Sequence, residues 1–276
     1  MEVFNQKIIG LLTDFGSKGQ HYVASMKAVI LKINSHIKII DISHEITPYS
    51  IIEASYILET TYKYFPKGSV FIIVVDPGVG TSREILGIKT NSNHYFIGPN
   101  NGIFSVKLAK NIVECIEIQN DEFFYKPTSI TFHGRDIMAP VAAHLLSGVL
   151  LNQFGPNFDL NKLKKLTNIY DINFEKKTIK CLIQYIDSFG NGTTNIPIVK
   201  NKIQNSELFV NEGRKIKISI RGNNYEGVFT SHFSNVSVKS ILFLVGSTGF
   251  LEISINQGNA SQILGFNVGE WVSITL

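Results

Sequence analysis

The apolar run Val70-Phe71-Ile72-Ile73-Val74-Val75 most restricts the folds open to this chain. Such a run reads as a buried strand. It ends by delivering a carboxylate, Asp76, into the tight turn Pro77-Gly78-Val79-Gly80, and seven residues on from Asp76 stands Arg83. Two earlier segments have a similar build. Lys7 to Leu12 runs into Thr13-Asp14-Phe15-Gly16, and Ile37 to Ile42 runs into Ser43-His44. Between them, Tyr22 to Ile33 carries Val23, Met26, Val29, Ile30 and Ile33 at helical spacing, and Ile51 to Tyr62 reads as a second helix. Strand, helix, strand, helix, strand is the pattern of right-handed crossovers in a parallel sheet. Ligands of such sheets collect at the carboxyl ends of the strands, where Asp14 and Asp76 fall.

Ile85 to Lys89 and His94 to Ile97 read as shorter antiparallel additions, and Ile137 to Leu151 as one strongly apolar helix. The pattern changes after Gly155-Pro156. Short alternating strands follow at Ile179–Ile186, Lys215–Ile220, Gly227–Thr230, Ile241–Val245, Phe250–Ile255 and Trp271–Thr275, separated by Gly, Asn and Ser. That spacing predicts an antiparallel barrel or sandwich. The expected architecture is an α/β domain over 1–165 with a mainly parallel sheet, and a smaller antiparallel β domain over 175–276.

The 276 residues are 44% hydrophobic and 17% charged, enough for ordinary globular cores. The net charge of +4 comes from scattered lysines, with no basic patch interleaved with aromatics, so a nucleic-acid partner is not expected. Cys115 and Cys181 lie in apolar runs and read as buried free thiols of a reducing compartment. The chain shows no secretory leader pattern and no apolar stretch near the roughly 18 residues of a membrane span. A soluble, cytoplasmic protein with no membrane partner is expected.

Polar groups gather in five turns: Thr13 to Gly16, Asp41 to His44, Asp76 to Arg83, Gly98-Pro99-Asn100-Asn101-Gly102, and Thr131 to Asp136. Each has a local explanation. Asp76 can open a Pro-Gly turn with Arg83 paired to it, Asp136 can cap the helix that follows, and His133 can be an ordinary histidine. Asp41 and His44 read as structural. Convergence on one sheet edge would instead make a polar cleft. Zinc ligation is disfavoured, because no His-x-x-x-His or Cys-x-x-Cys pair exists. A magnesium site from Asp14, Asp76 and Asp136 stays open. The absence of Gly-x-Gly-x-x-Gly, Walker and Gly-x-Ser-x-Gly patterns argues against nucleotide-phosphate chemistry and serine hydrolysis.

Thr-Asp-Phe-Gly at 13–16, Asp-Ile-Ser-His-Glu-Ile-Thr-Pro at 41–48, Asp-Pro-Gly-Val-Gly at 76–80 and Gly-Pro-Asn-Asn-Gly at 98–102 occur in that order. Thr-Phe-His-Gly-Arg-Asp at 131–136, Asp-Ser-Phe-Gly-Asn at 187–191, Gly-Ser-Thr-Gly-Phe-Leu-Glu-Ile at 246–253 and Asn-Gln-Gly-Asn-Ala at 256–260 follow. Together they resemble the S-adenosyl-L-methionine hydroxide adenosyltransferases, or SAM hydrolases, which share a superfamily and fold with fluorinating and chlorinating enzymes. The resemblance implies an N-terminal α/β domain, a C-terminal β-barrel, and a homotrimer with sites between subunits. It implies SAM as substrate, with no cofactor. By that likeness Asp76, Arg83 and His133 handle water and are catalytic. Asp14 holds the ribose hydroxyls and Tyr49 packs beside the sugar. Phe189, Asn191 and Phe233 surround and read adenine. Asp187 faces the methionine ammonium and Ser247 its carboxylate.

The chain departs from the halogenating branch at Asp76, where those enzymes carry tyrosine, at His133-Gly134, where they carry a halide-contacting serine, and at Val79, where they carry threonine. A carboxylate there repels a bare anion by roughly 4 kcal/mol at 4 Å in a partly screened site. Hydrolysis of SAM to adenosine and L-methionine is therefore the expected reaction. Two alternatives are a metal-dependent hydrolase built on Asp14, Asp76, Asp136 and His133, and a non-catalytic SAM or adenosine binder.

Overall fold

The computed structural model describes residues 6–166 and 170–276; residues 167–169, inside the expected linker, lie outside the described residues. The chain divides into two compact units, Met1–Leu166 and Thr167–Leu276.

The first unit is built on a six-stranded sheet in the order β2-β1-β3-β5-β4-β6. The strands are β1 (Ile8–Thr13), β2 (Lys38–Ser43), β3 (Val70–Val74), β4 (Ile85–Thr90), β5 (Tyr95–Pro99) and β6 (Ile112–Glu117). β1 pairs in parallel with β2 and β3, and β3 with β5, whereas β4 runs antiparallel to both β5 and β6. The expectation for His94–Ile97 is thus half corrected: β5 is a parallel neighbour of β3, and β4 is the reversed strand. The cause is the turn after β4, where the Thr90 N–H donates to the His94 carbonyl and the Asn93 N–H to the Thr90 carbonyl around left-handed Asn93, sending the chain back beside β3.

β3 shows why this sheet is covered on both sides. Val70, Ile72 and Val74 pack with Val23, Met26 and Ile30 of α1 (Gln20–Ile33). Phe71, Ile73 and Val75 pack with Ala54 and Leu58 of α2 (Ile51–Thr61). A strand points alternate side chains to opposite faces, and each fully buried side chain of this size contributes ~1.5–3 kcal/mol. From β1 the chain steps outward to β2 and then back across to β3, which places the two crossover helices on opposite faces. The carboxyl ends of β1 and β3 therefore flank a topological switch point, where open α/β sheets leave a crevice.

The predicted helix over Ile137–Leu151 is broken into parts. A π-helical turn at Gly134–Met138 leads into α4 (Ala139–Leu146), after the short α3 (Val106–Ala109) earlier in the chain. Gly148, at φ +107°, ends α4, and a 3-10 turn covers Leu151–Phe154. The apolar pattern runs on because Leu151 and Phe154 are core residues of the same cluster.

The second unit is a closed barrel. Seven strands form the ring: β9 (Gly192–Val199), β14 (Phe250–Ile255), β13 (Ile241–Val245), β12 (Asn223–Phe229), β11 (Lys215–Ile220), β15 (Trp271–Thr275) and β8 (Thr178–Ile186), which pairs back onto β9. β7 (Asp171–Asn173) and β10 (Lys202–Ile203) flank it, and α5 (Ala260–Leu264) follows β14. All ring pairs are antiparallel except β12 with β13. Alternate residues such as Ile179, Cys181 and Ile183, or Ile216, Ile218 and Ile220, point inward. β9 is the closing strand that sequence reading passes over, because Pro197 and a leading glycine demote it. Gly192 is required there: a Cβ would lie 2.5 Å from the ring of Phe266.

Candidate active site

Asp14 directly follows β1 and Asp76 follows β3 by two residues. With Thr13 in register with Val74, the two carboxylates arrive side by side at the switch point. They line one cavity of about 360 Å³ with Phe15, Pro48, Tyr49, Val79 and Thr131 to Gly134.

The turn after β3 is built around its own acid. Asp76 Oδ1 accepts from the Gly78 N–H at 3.2 Å, and the Val79 N–H donates to the Asp76 carbonyl at the same distance. Gly80 adopts φ +81° with Ile130 packed against it, and a Cβ would lie 3.1 Å from the Ile130 carbonyl oxygen. The turn brings Arg83 back under Asp76. Arg83 Nε donates to Oδ1 at 3.0 Å and to Oδ2 at 2.8 Å, while Nη2 donates to Oδ2 as well. The same Nη2 lies 2.9 Å from His133 Nδ1. Asn101 anchors the strand end by donating from Nδ2 to the Val75 carbonyl at 2.9 Å. Asn100 is spent on Glu84 and on the Lys162–Lys164 backbone.

A guanidinium can only donate, so Nδ1 of His133 must accept and the neutral ring carries its proton on Nε2. Burial, and then the Arg83 charge, hold the His133 pKa below the ordinary 6.5, with Asp76 and Asp136 pulling the other way. A ring of that tautomer donates at Nε2 and, with Nδ1 taken by Arg83, has no nitrogen left to accept a proton. Arg83 is not among the cavity-lining residues; it stands behind Asp76 and His133 and holds both.

Asp136 takes no part in the cavity. It is fully buried, its carboxylate accepts from Arg135 Nε at 2.6 Å and Nη2 at 2.8 Å, and Oδ2 accepts from the Ser129 N–H at 2.8 Å. It pins the segment that leads to His133. The magnesium arrangement of Asp14, Asp76 and Asp136 is therefore not assembled. Among the described residues no group of three or more His, Cys, Asp or Glu is placed to hold a metal ion.

Asp14 Oδ2 accepts from the Tyr49 N–H at 2.8 Å. Burial pushes the Asp14 carboxyl above its ordinary value; the Tyr49 bond opposes this and nearby Asp76 reinforces it. Tyr49 sits in the left-handed region at φ 67°, a conformation that costs about 1–3 kcal/mol for such a residue. Its neighbours hold it there: Ser50 caps α2 by accepting from the Glu53 N–H at 3.3 Å, and buried Glu53 accepts from the Thr47 N–H at 3.0 Å. Behind Asp14, Thr13 Oγ1 meets His44 Nδ1 at 2.9 Å, and the Gly16 N–H donates to the His44 carbonyl at 2.7 Å. His44 Nε2 is 3.0 Å from Asp41 Oδ1, an ion-pair distance without hydrogen-bond alignment. Burial opposes ionisation of Asp41, yet Lys27 and His44 hold its carboxyl below the usual value.

In the barrel unit, a second cavity of about 870 Å³ gathers Asp187, Phe189, Asn191, Phe233, Ser247 and Glu252, among others. The β8–β9 loop folds on Asp187, whose Oδ1 accepts from the Phe189 and Asn191 N–H groups at 2.9 Å each. Asn191 Nδ2 donates to Asp187 Oδ2 at 2.9 Å, which fixes the amide and leaves its Oδ1 as an acceptor. The Phe233 turn (Phe233–Asn235) is held by Glu212, which accepts from Thr230 Oγ1 at 2.9 Å and Asn235 Nδ2 at 3.0 Å. Phe189 is 75% exposed and Tyr49 71%, ring surface that neither core covers. The sequence reading gives no role to Glu212 or Glu252: Glu252 lies inside the 246–253 motif, whereas Glu212 stands between Asn211 and Gly213, outside every motif.

An acid, a guanidinium and an imidazole are clasped together at a strand end, each restraining the next. Full-length relatives of the chain are named for one enzymatic activity, and the chain is an enzyme. Models of the SAM hydroxide adenosyltransferase N-terminal and C-terminal domains match residues 9–155 and 181–273, and the chain belongs to that family. It is 38% identical over 275 residues to the (R)-S-adenosyl-L-methionine hydrolase of Methanocaldococcus jannaschii, covering 97% of this chain and 95% of that one. A second (R)-S-adenosyl-L-methionine hydrolase, from Salinispora tropica, is 28% identical with 97% of both chains covered. The crystal structure of an uncharacterized conserved protein from Thermotoga maritima superposes with a TM-score of 0.86 at 37% identity, covering 97% of this chain and all of that one.

Proposed function

We propose that this enzyme hydrolyses S-adenosyl-L-methionine to adenosine and L-methionine, with water attacking the ribose C5′. Relatives bearing the name (R)-S-adenosyl-L-methionine hydrolase align along nearly the whole chain. The observation that carries the mechanism is Arg83 Nη2 joining Asp76 to His133 behind a cavity that both of them line. In the reaction the C5′–O bond forms as the C5′–S bond breaks, and the electron pair leaves on sulfur as the neutral thioether of methionine. The water proton passes to Asp76 and then to solvent, so one proton is released per turnover. His133 Nε2–H donates to the water oxygen and, with Asp76, aims it along the C5′–S axis. Arg83 fixes both groups and favours hydroxide character through its charge.

Asp14 and Asp76 face the same space, which suits a sulfonium cation and opposes a halide ion. Asp14 then holds the ribose hydroxyls with Tyr49 beside the sugar. Phe189 and Phe233 flank adenine, the free Oδ1 of Asn191 reads its amino group, Asp187 faces the ammonium and Ser247 the carboxylate. We take the working form to be a cytoplasmic homotrimer in which the two cavities, contributed by different subunits, share one SAM. The division of labour between the cavities supports this, as do the exposed rings of Tyr49 and Phe189. Both cysteines are free and buried, in keeping with a reducing compartment, and no described helix is long and apolar enough to cross a membrane.

Incubation with SAM in the presence of EDTA, followed by chromatography, is expected to yield adenosine and methionine in equal amounts. SAM recovered intact would reject the reaction, and turnover lost to the chelator would return the metal-dependent alternative.

A further inference from the structure

Glu252 is the acidic side chain of the barrel cavity for which the reading above has no task. It stands on β14 opposite Thr193 of β9 and lines the same cavity as Asp187, Phe189, Asn191, Phe233 and Ser247. Its Oε2 lies 3.0 Å from where a Cβ on Gly246 would sit, immediately before Ser247. The two carboxylates are differently engaged. Asp187 is bound into its own loop by three hydrogen bonds, from Phe189 N, Asn191 N and Asn191 Nδ2. Glu252 accepts at Oε1 from Ser254 Oγ at 3.0 Å.

Among the described residues no Lys, Arg or His forms an ion pair with Asp187 or Glu252. Lys239 also lines the cavity, yet its ammonium donates to the Gln257 carbonyl at 2.6 Å. Burial, and the negative charge of Asp187, push the Glu252 carboxyl above its ordinary value even though Ser254 draws it down. Half-buried like charges without a cation are unfavourable, and a cationic group brought by the ligand relieves both costs. The sulfonium is tied to C5′, beside the groups that handle water, whereas the ammonium lies at the far end of the amino-acid chain, near the carboxylate assigned to Ser247.

We propose that Glu252, with Asp187, receives the α-ammonium group of the substrate and thereby selects adenosyl sulfonium compounds that carry an amino acid over those that lack the amine. This rests on SAM being the substrate. The test uses full-length wild type and Glu252→Gln, each with SAM and with the adenosyl sulfonium of 4-(methylthio)butanoate, which keeps the carboxylate and loses only the amine. Glutamine preserves the size of the side chain and an acceptor for Ser254.

Wild type is expected to show a KM at least about 10-fold higher for the amine-less compound than for SAM, as loss of a charged hydrogen bond requires. Glu252→Gln is expected to raise KM for SAM about 10- to 100-fold with kcat within about threefold, and to leave KM for the amine-less compound unchanged or lower. Equal KM values for the two compounds in wild type would overturn the proposal without any variant. An equal rise for both compounds in Glu252→Gln, or none for SAM, would also overturn it. No adenosine from SAM with wild type would sink the substrate reading and this inference together, whereas normal turnover with unaltered selectivity in Glu252→Gln sinks this inference alone.

Discussion

Arg83→Ala is expected to lower kcat for SAM by about 10²- to 10⁴-fold, the range associated with losing acid–base assistance, and to destabilise the α/β unit measurably. The side chains of Arg83 and Asp76 are only 6% and 5% exposed. Removing the guanidinium leaves a buried carboxylate with no cation, which costs about 3–5 kcal/mol. For a unit of this size that is a fall of roughly 10 °C in thermal midpoint. It also releases His133 Nδ1 from the donor that sets its tautomer. Arg83→Lys restores the charge, but a single ammonium cannot reach both carboxylate oxygens and the imidazole in one plane. Recovery of stability with little recovery of rate is the expected pattern. Calorimetry and initial rates on the same preparations check it, and an Arg83→Ala enzyme with normal kcat would remove Arg83 from the mechanism.

His133→Ala is expected to reduce kcat over the same span of about 10²- to 10⁴-fold, with a far smaller effect on KM. His133 is half-buried and lines the cavity with Asp76, where the proposed mechanism places the attacking water, so the loss is expected on the chemical step. The pH profile adds a sharper check. The working form is the neutral ring with Nδ1 accepting from Arg83, and burial and Arg83 place its pKa below 6.5. Activity governed by this ring is present above that pKa and is lost as pH falls through it. Wild-type kcat/KM should therefore show an acidic midpoint below 6.5. In His133→Ala the remaining acidic limb belongs to Asp14, whose carboxyl burial raises above its ordinary value. A wild-type midpoint above 6.5 would mean that the ring is not held as described.

Much of the first unit was legible because local pattern and burial agree. The apolar run of β3 reads as a strand covered on both faces, and Asp14 and Asp76 follow from it by register. Strand direction was not legible at β5, since alternation is the same in either sense and a turn around one left-handed asparagine decides it. β9 escaped because its proline breaks the usual strand composition, although its place between β14 and β8 closes the ring. At the site, residue types and turns could be read, but not who donates to whom. That Arg83 stands behind its partners, and that His133 is an acceptor at Nδ1, are facts of packing. Asp136 could have been a cap or a ligand; only its full burial against Arg135 and Ser129 shows that it braces the His133 segment.

The central claim is that water attacks C5′ of the ribose, and the position of an oxygen label tests it. Turnover of SAM in H₂¹⁸O should place one ¹⁸O in the 5′-hydroxyl of adenosine and none in methionine, as mass spectrometry of the separated products would show. Unlabelled adenosine, or methylthioadenosine appearing with a labelled four-carbon amino acid, would contradict it.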